Sequence, residues 1–106
     1  MNPWNGTSFH NDVIYATYQE MVDKLGEPKY EGSADDKVQK EWQFITEDDY
    51  AFTIYDWKYY DEDVTDGQKI CWHIGHSGGI ASITEALAEK GLTVVTKSYD
   101  FLNIFK

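Results

Sequence analysis

The sequence predicts an α+β fold, a small antiparallel β-sheet with two helices packed on it, and three stretches carry that prediction. Residues 17–28 hold a capping box, apolar residues at helical spacing and a Gly-x-Pro stop. Residues 38–59 alternate in two runs about an acidic turn, and residues 69–74 alternate again before a glycine-rich loop opens a second helical pattern. At 106 residues the chain has room for one domain, 1–106, and little for a second lobe.

Taken in order, residues 1–11 place Trp4 and Phe9 around the Asn5-Gly6-Thr7-Ser8 turn and read as an ordered loop, because Asn-Gly pairs tolerate positive φ. Residues 12–16 alternate weakly and predict a short strand with Val13 and Tyr15 on one face. Thr17 and Glu20 form the capping box, and Tyr18, Met21, Val22 and Leu25 recur at i, i+3, i+4 and i+7. Gly26 and Pro28 end that helix. Residues 29–37 read as a polar loop.

Residues 38–46 and 51–59 then predict a hairpin. In the first run Val38, Trp42 and Phe44 oppose Gln39, Glu41 and Gln43. In the second, Ala51, Thr53, Tyr55 and Trp57 oppose Phe52, Ile54, Asp56 and Lys58, so both faces carry apolar groups and the strand reads as central. Residues 60–67 form an acidic connection to a third strand, in which Ile70, Trp72 and Ile74 share one face and Cys71, His73 and Gly75 the other. Three antiparallel strands in meander order result. Gly75, Gly78 and Gly79 are suited to positive φ, and Ser77 stands where an N-cap is wanted for a helix over 79–90, with Ile80, Ile83 and Leu87 inward and Gly91 as its stop. Residues 92–96 predict an edge strand. The apolar tail at Phe101, Leu102, Ile104 and Phe105 is expected to cover apolar surface or meet a second copy, a homo-oligomer contact.

Composition narrows the partners. Nineteen Asp and Glu against nine Lys and Arg give a formal net charge of −10, which disfavours nucleic acid and anionic membranes and favours a basic or neutral partner. The absence of an 18-residue apolar run and of a signal-type leader, together with a lone Cys71, makes a cytoplasmic protein the expectation. Aromatic residues make up 16% of the chain, with four Trp and eight Tyr, flat groups that serve cores and binding surfaces alike.

Catalytic and metal chemistry find weak support. His73 and His76 are three apart, but the intervening Ile74-Gly75 argues strand and loop, where the two imidazoles diverge. Cys71 and His73 share a strand face without a third orienting group, so Cys71 reads as a packed thiol. Glu47-Asp48-Asp49 and Asp61-Glu62-Asp63 lack the 12-residue calcium loop pattern and read as solvated turns. No cofactor or metal is expected, and the chain reads as non-enzymatic.

Three blocks, Asn5-Gly6-Thr7-Ser8, Ile54-Tyr55-Asp56-Trp57-Lys58 and Trp72-His73-Ile74-Gly75, together resemble a family of small proteins encoded by bacteriophages and large DNA viruses. Its members read similarly through an NGTS-type start, a helix ending in Gly-x-Pro, an IYDWK strand and a WHIGG loop. The likeness covers residues 5–90, with His76 standing where the family has a second glycine. It implies a viral accessory role in the host cytoplasm, such as blocking a defence system, and transfers no catalytic residue.

Two functions follow as expectations. In one, the protein binds and sequesters a small nucleotide-like immune signal, using Asn5, Gly6, Thr7, Ser8, Tyr55, Trp57, Lys58, Trp72, His73, Gly75 and His76. Aromatic rings stack the base, and loop amides at the positive end of the second helix hold phosphate. If the first strand lies beside the third sheet strand, the Asn5–Ser8 turn and the loop after His73 border one concavity. In the other, the acidic surface imitates nucleic acid or otherwise occupies a host defence protein.

Overall fold

The computed structural model describes residues 8–31, 38, 40–57 and 64–96, and the Asn5-Gly6-Thr7 turn, Lys58, the acidic run 61–63 and the apolar tail lie outside the described residues. The elements in order are β1 (Ser8–Thr17), α1 (Tyr18–Leu25), β2 (Tyr30–Glu31), β3 (Lys40–Ile45), β4 (Ala51–Tyr55), β5 (Lys69–His76), α2 (Ile80–Glu89) and β6 (Val94–Thr96). The six strands form one antiparallel sheet in the order β2-β3-β4-β5-β1-β6. The fold is α+β, as the alternation predicts. The β3-β4-β5 meander and the edge position of β6 match the sequence, and β4 is central.

Both helices cover one face. Ile14, Ala16, Trp42, Phe52, Ile54, Ile70, Trp72 and Ile74 from the sheet join Met21 of α1 and Ile83 and Leu87 of α2 in a single buried cluster. Odd-numbered neighbours on β3, β4 and β5, among them Glu41, Tyr55 and His73, therefore belong to the second face, because side chains alternate along a strand.

Helix α1 follows its local signals closely. The Thr17 hydroxyl accepts from the Glu20 amide at 3.1 Å, and the Thr17 amide donates to the Glu20 carboxylate at 3.2 Å. Gly26 ends the helix at φ 87°. Thr17→Ala is expected to cost about 1 kcal/mol, read as a shift of the denaturant midpoint at constant slope. A loss near zero would show that packing alone holds this helix.

Four sequence expectations are corrected. Residues 8–11, read as loop, belong to β1, which pairs along β5 with an irregularity between Phe9 and Val13. That irregularity interrupts the alternation on which strand recognition depends. Tyr30–Glu31, also read as loop, pairs with β3. Strand β5 runs two residues past its expected end at Ile74, so His76, read as loop, is a strand residue along with Gly75. Ser77 does not cap α2: the N-cap is Gly79, left-handed at φ 76°, with no side-chain cap bond. A Cβ at Gly79 would stand 2.2 Å from the Tyr50 ring, so glycine meets both the backbone and the packing demand there.

Candidate functional site

The hairpin fixes the register from which the site is built. Glu41 stands opposite Tyr55, and Tyr55 stands opposite His73 on the other side, so three strands present these residues as a row on the second face. Just past the end of β4, Asp56 is fully buried and its Oδ1 accepts the Lys40 amide at 2.8 Å. This bond pins the chain where it leaves the sheet and leaves Trp57, two residues after Tyr55, beside the row.

Three rings meet there. The Tyr55 and Trp57 centroids are 6.2 Å apart at 78°, and those of Tyr55 and His73 are 5.7 Å apart at 67°. Trp57 and His73 lie 6.5 Å apart and within 27° of parallel. Two near-parallel rings with a third almost perpendicular to both leave π faces and edges in contact, the arrangement aromatic quadrupoles favour. Trp57 is 38% exposed, whereas Tyr55 and His73 are half-buried. Burial pushes the Tyr55 phenol above its usual value, and the charge of Glu41 adds to the rise. Desolvation likewise raises the Glu41 carboxyl, partly countered by the hydrogen bond from Gln43 Nε2 at 3.1 Å.

The other expected site residues divide. Trp72 is on the helix face, with no exposed surface, and its Nε1 donates to the Ala16 carbonyl at 2.9 Å. It is a core residue because it shares the face of Ile70 and Ile74. His76 is also buried on that face: its Nε2 lies 3.2 Å from Asp12 Oδ2, and its Nδ1 accepts the Gly78 amide at 3.1 Å. The Gly78 N–H, one of the loop amides expected to hold phosphate, is thus engaged within the protein. Gly75 is buried in β5, opposite Phe9 and Thr53. The backbone of Ser8 pairs with His76, so β1 does lie beside β5 as the concavity requires. Tyr55, Trp57 and His73 are therefore brought together, and Trp72 and His76 are directed away from them.

A second feature was not foreseen. Thr46, Glu47, Asp48, Ser82, Glu85, Ala86 and Glu89 line an open cleft of about 310 Å³ between the β3–β4 turn and α2. Asp48 accepts the Ser82 hydroxyl at 2.7 Å and the Thr46 hydroxyl at 2.8 Å, bonds that hold its carboxyl below the usual range. Its role is to strap the turn to the helix. No cluster of three or more metal-ligating side chains occurs among the described residues.

Neither a protein-family model, nor a curated protein, nor a solved structure matches this chain.

Proposed function

We propose that this protein is a non-enzymatic viral accessory protein that binds and sequesters a small nucleotide-like ligand of host immune signalling. The observation that supports this reading is the Tyr55–Trp57–His73 ring group, gathered from two strands and the turn after β4 onto one face. Stacking on aromatic side chains is worth about 1–3 kcal/mol per base by alanine substitution, a contribution that helps retain a small ligand. In this reading the Asn5–Ser8 turn and Lys58 are the candidates for phosphate contacts.

The test begins with native mass spectrometry of the protein taken from infected, defence-active cells. Wild-type protein is expected to carry a small-molecule mass, and a Trp57→Ala/His73→Ala double variant is expected to lose it together with defence inhibition. Its thermal midpoint should stay close to wild type, since both side chains are partly exposed. Full inhibition by the folded double variant would defeat the reading.

The acidic cleft favours a second one, capture of a host protein through the carboxylates of Glu47, Glu85 and Glu89. Reversing those three charges separates the two, because ligand capture tolerates the change and protein mimicry does not. Asp48 is unsuited to that experiment, since its reversal would also break the strap to Ser82.

A further inference from the structure

The joint between β5 and α2 turns on one imidazole. His76 ends β5 and is buried, with Ser8 of β1 opposite on one side and Phe52 of β4 on the other. Its Nε2 lies 3.2 Å from Oδ2 of Asp12, also buried, and its Nδ1 accepts the Gly78 amide at 3.1 Å. The start of α2 leans on that second bond. Its N-cap, Gly79, is a left-handed residue that offers no side-chain cap bond, and the Ile83 amide donates to the Gly79 carbonyl at 3.0 Å. The first hydrogen bond of the helix is thus made to a loop that His76 seats.

The two partners of the ring make opposite demands on a proton. An imidazolium carries hydrogen on both nitrogens, so it donates twice and accepts nothing. Toward Asp12 that form is the stronger donor, since both members of the bond are then ionised. Toward Gly78 it fails, because two N–H groups would face each other. Of the two bonds, the one to Asp12 strengthens on protonation and the one to Gly78 is lost, so the loop gives way. The other elements at the joint add little charge of their own. Phe52 and residues 77–84 are uncharged, and Tyr50, whose ring lies against Gly79, gains no charge as pH falls. Asp48 on the β3–β4 turn meets α2 at Ser82. His10 on β1 and Lys97, which follows the Thr96 paired with Asp12, are the remaining ionisable neighbours in register, and Asp12 and His76 make further contacts besides their own.

We infer that His76 is a proton-sensitive seat for α2: on taking up a proton the imidazole keeps Asp12, releases the Gly78 amide, and frees the loop and the first turn of the helix while the sheet stays folded. The inference is independent of ligand capture, since it uses the helix face of the sheet and the chain between β5 and α2.

Nitrogen-15 spectra of the three imidazoles, with amide hydrogen exchange followed over the same pH series and corrected for its intrinsic pH dependence, decide the matter. Across the interval in which the His76 ring titrates, protection of the Gly78 amide is expected to fall about tenfold, the size of one lost hydrogen bond. Ile83 should lose protection with it, and Leu87, one turn further along α2, should keep its own. His76→Asn puts a carbonyl oxygen near the place of Nδ1 and cannot titrate, so Gly78 protection should then be independent of pH. Asp12→Asn removes the charge that favours the imidazolium and should move the transition to lower pH, whereas His10→Asn should leave it in place. A His76 ring that titrates with Gly78 still protected, or that stays neutral until the sheet itself unfolds, would overturn the inference. So would the same pH response in His76→Asn, an unmoved transition in Asp12→Asn, or its disappearance in His10→Asn.

Discussion

Trp72→Ala is expected to lower the unfolding free energy by about 3–5 kcal/mol, the range for emptying a core aromatic site, and to leave little folded protein at physiological temperature. Trp72 has no exposed surface and meets Trp42 edge-on at 5.3 Å, with Tyr18 within 6.3 Å of both rings. The two indoles also tie down the two ends of α1. Trp72 Nε1 bonds the carbonyl of Ala16, just before the N-cap, and Trp42 Nε1 bonds the carbonyl of Gly26, the C-cap, at 2.8 Å. Trp72→Phe keeps much of the ring and removes the donor, so it should recover more than half of the loss. Chemical denaturation of wild type, Trp72→Phe and Trp72→Ala measures all three. A loss below about 1 kcal/mol for the alanine variant would mean that the helix is not anchored through this ring.

The same residue shows how far the sequence was legible. Period-two alternation put Trp72 on the face of Ile70 and Ile74, and that face is the core. The motif reading nevertheless assigned it to the ligand. Where the two disagree, the physical constraint on alternation wins, because a strand cannot turn one side chain to its other face without shifting its register. The capping box of α1 was legible because Thr17 and Glu20 are three residues apart, and the hairpin faces were legible because Trp42, Phe44, Phe52 and Ile54 repeat every second position. Tyr55, Trp57 and His73 were each named, but only the pairing of β4 with β5 brings them together. Glu41 was within reach of the same register argument, since pairing Phe44 with Phe52 places it opposite Tyr55. Strand β1 was largely illegible. Its partners are in β5 and β6, far along the chain, and Val13 and Ile14, in regular register opposite His73 and Trp72 and so on opposite faces, are both buried, which removes the alternation of burial there.

The contact between Asp12 and His76 had no sequence signal, because 64 residues separate its members. Asp12 is 5% exposed and His76 6% exposed, so their contact offsets part of the hydration that each loses. With Nδ1 accepting the Gly78 amide, the geometry fits the tautomer whose proton is on Nε2 and is donated to the carboxylate. One imidazole thereby joins β1, β5 and the loop into α2. His76→Ala should cost about 3 kcal/mol, since it empties buried volume and takes a donor from a buried carboxylate, and Asp12→Ala about 2 kcal/mol. A double-mutant cycle is expected to return a coupling of about 1–2 kcal/mol. Hydrogen exchange adds a readout that simple loss of volume would not move: the Gly78 amide should lose protection in His76→Ala and largely keep it in Asp12→Ala. Additive losses, with Gly78 equally protected throughout, would show that the imidazole is only packed there. Coupling together with the selective loss at Gly78 would establish His76 as the residue that seats the loop before α2.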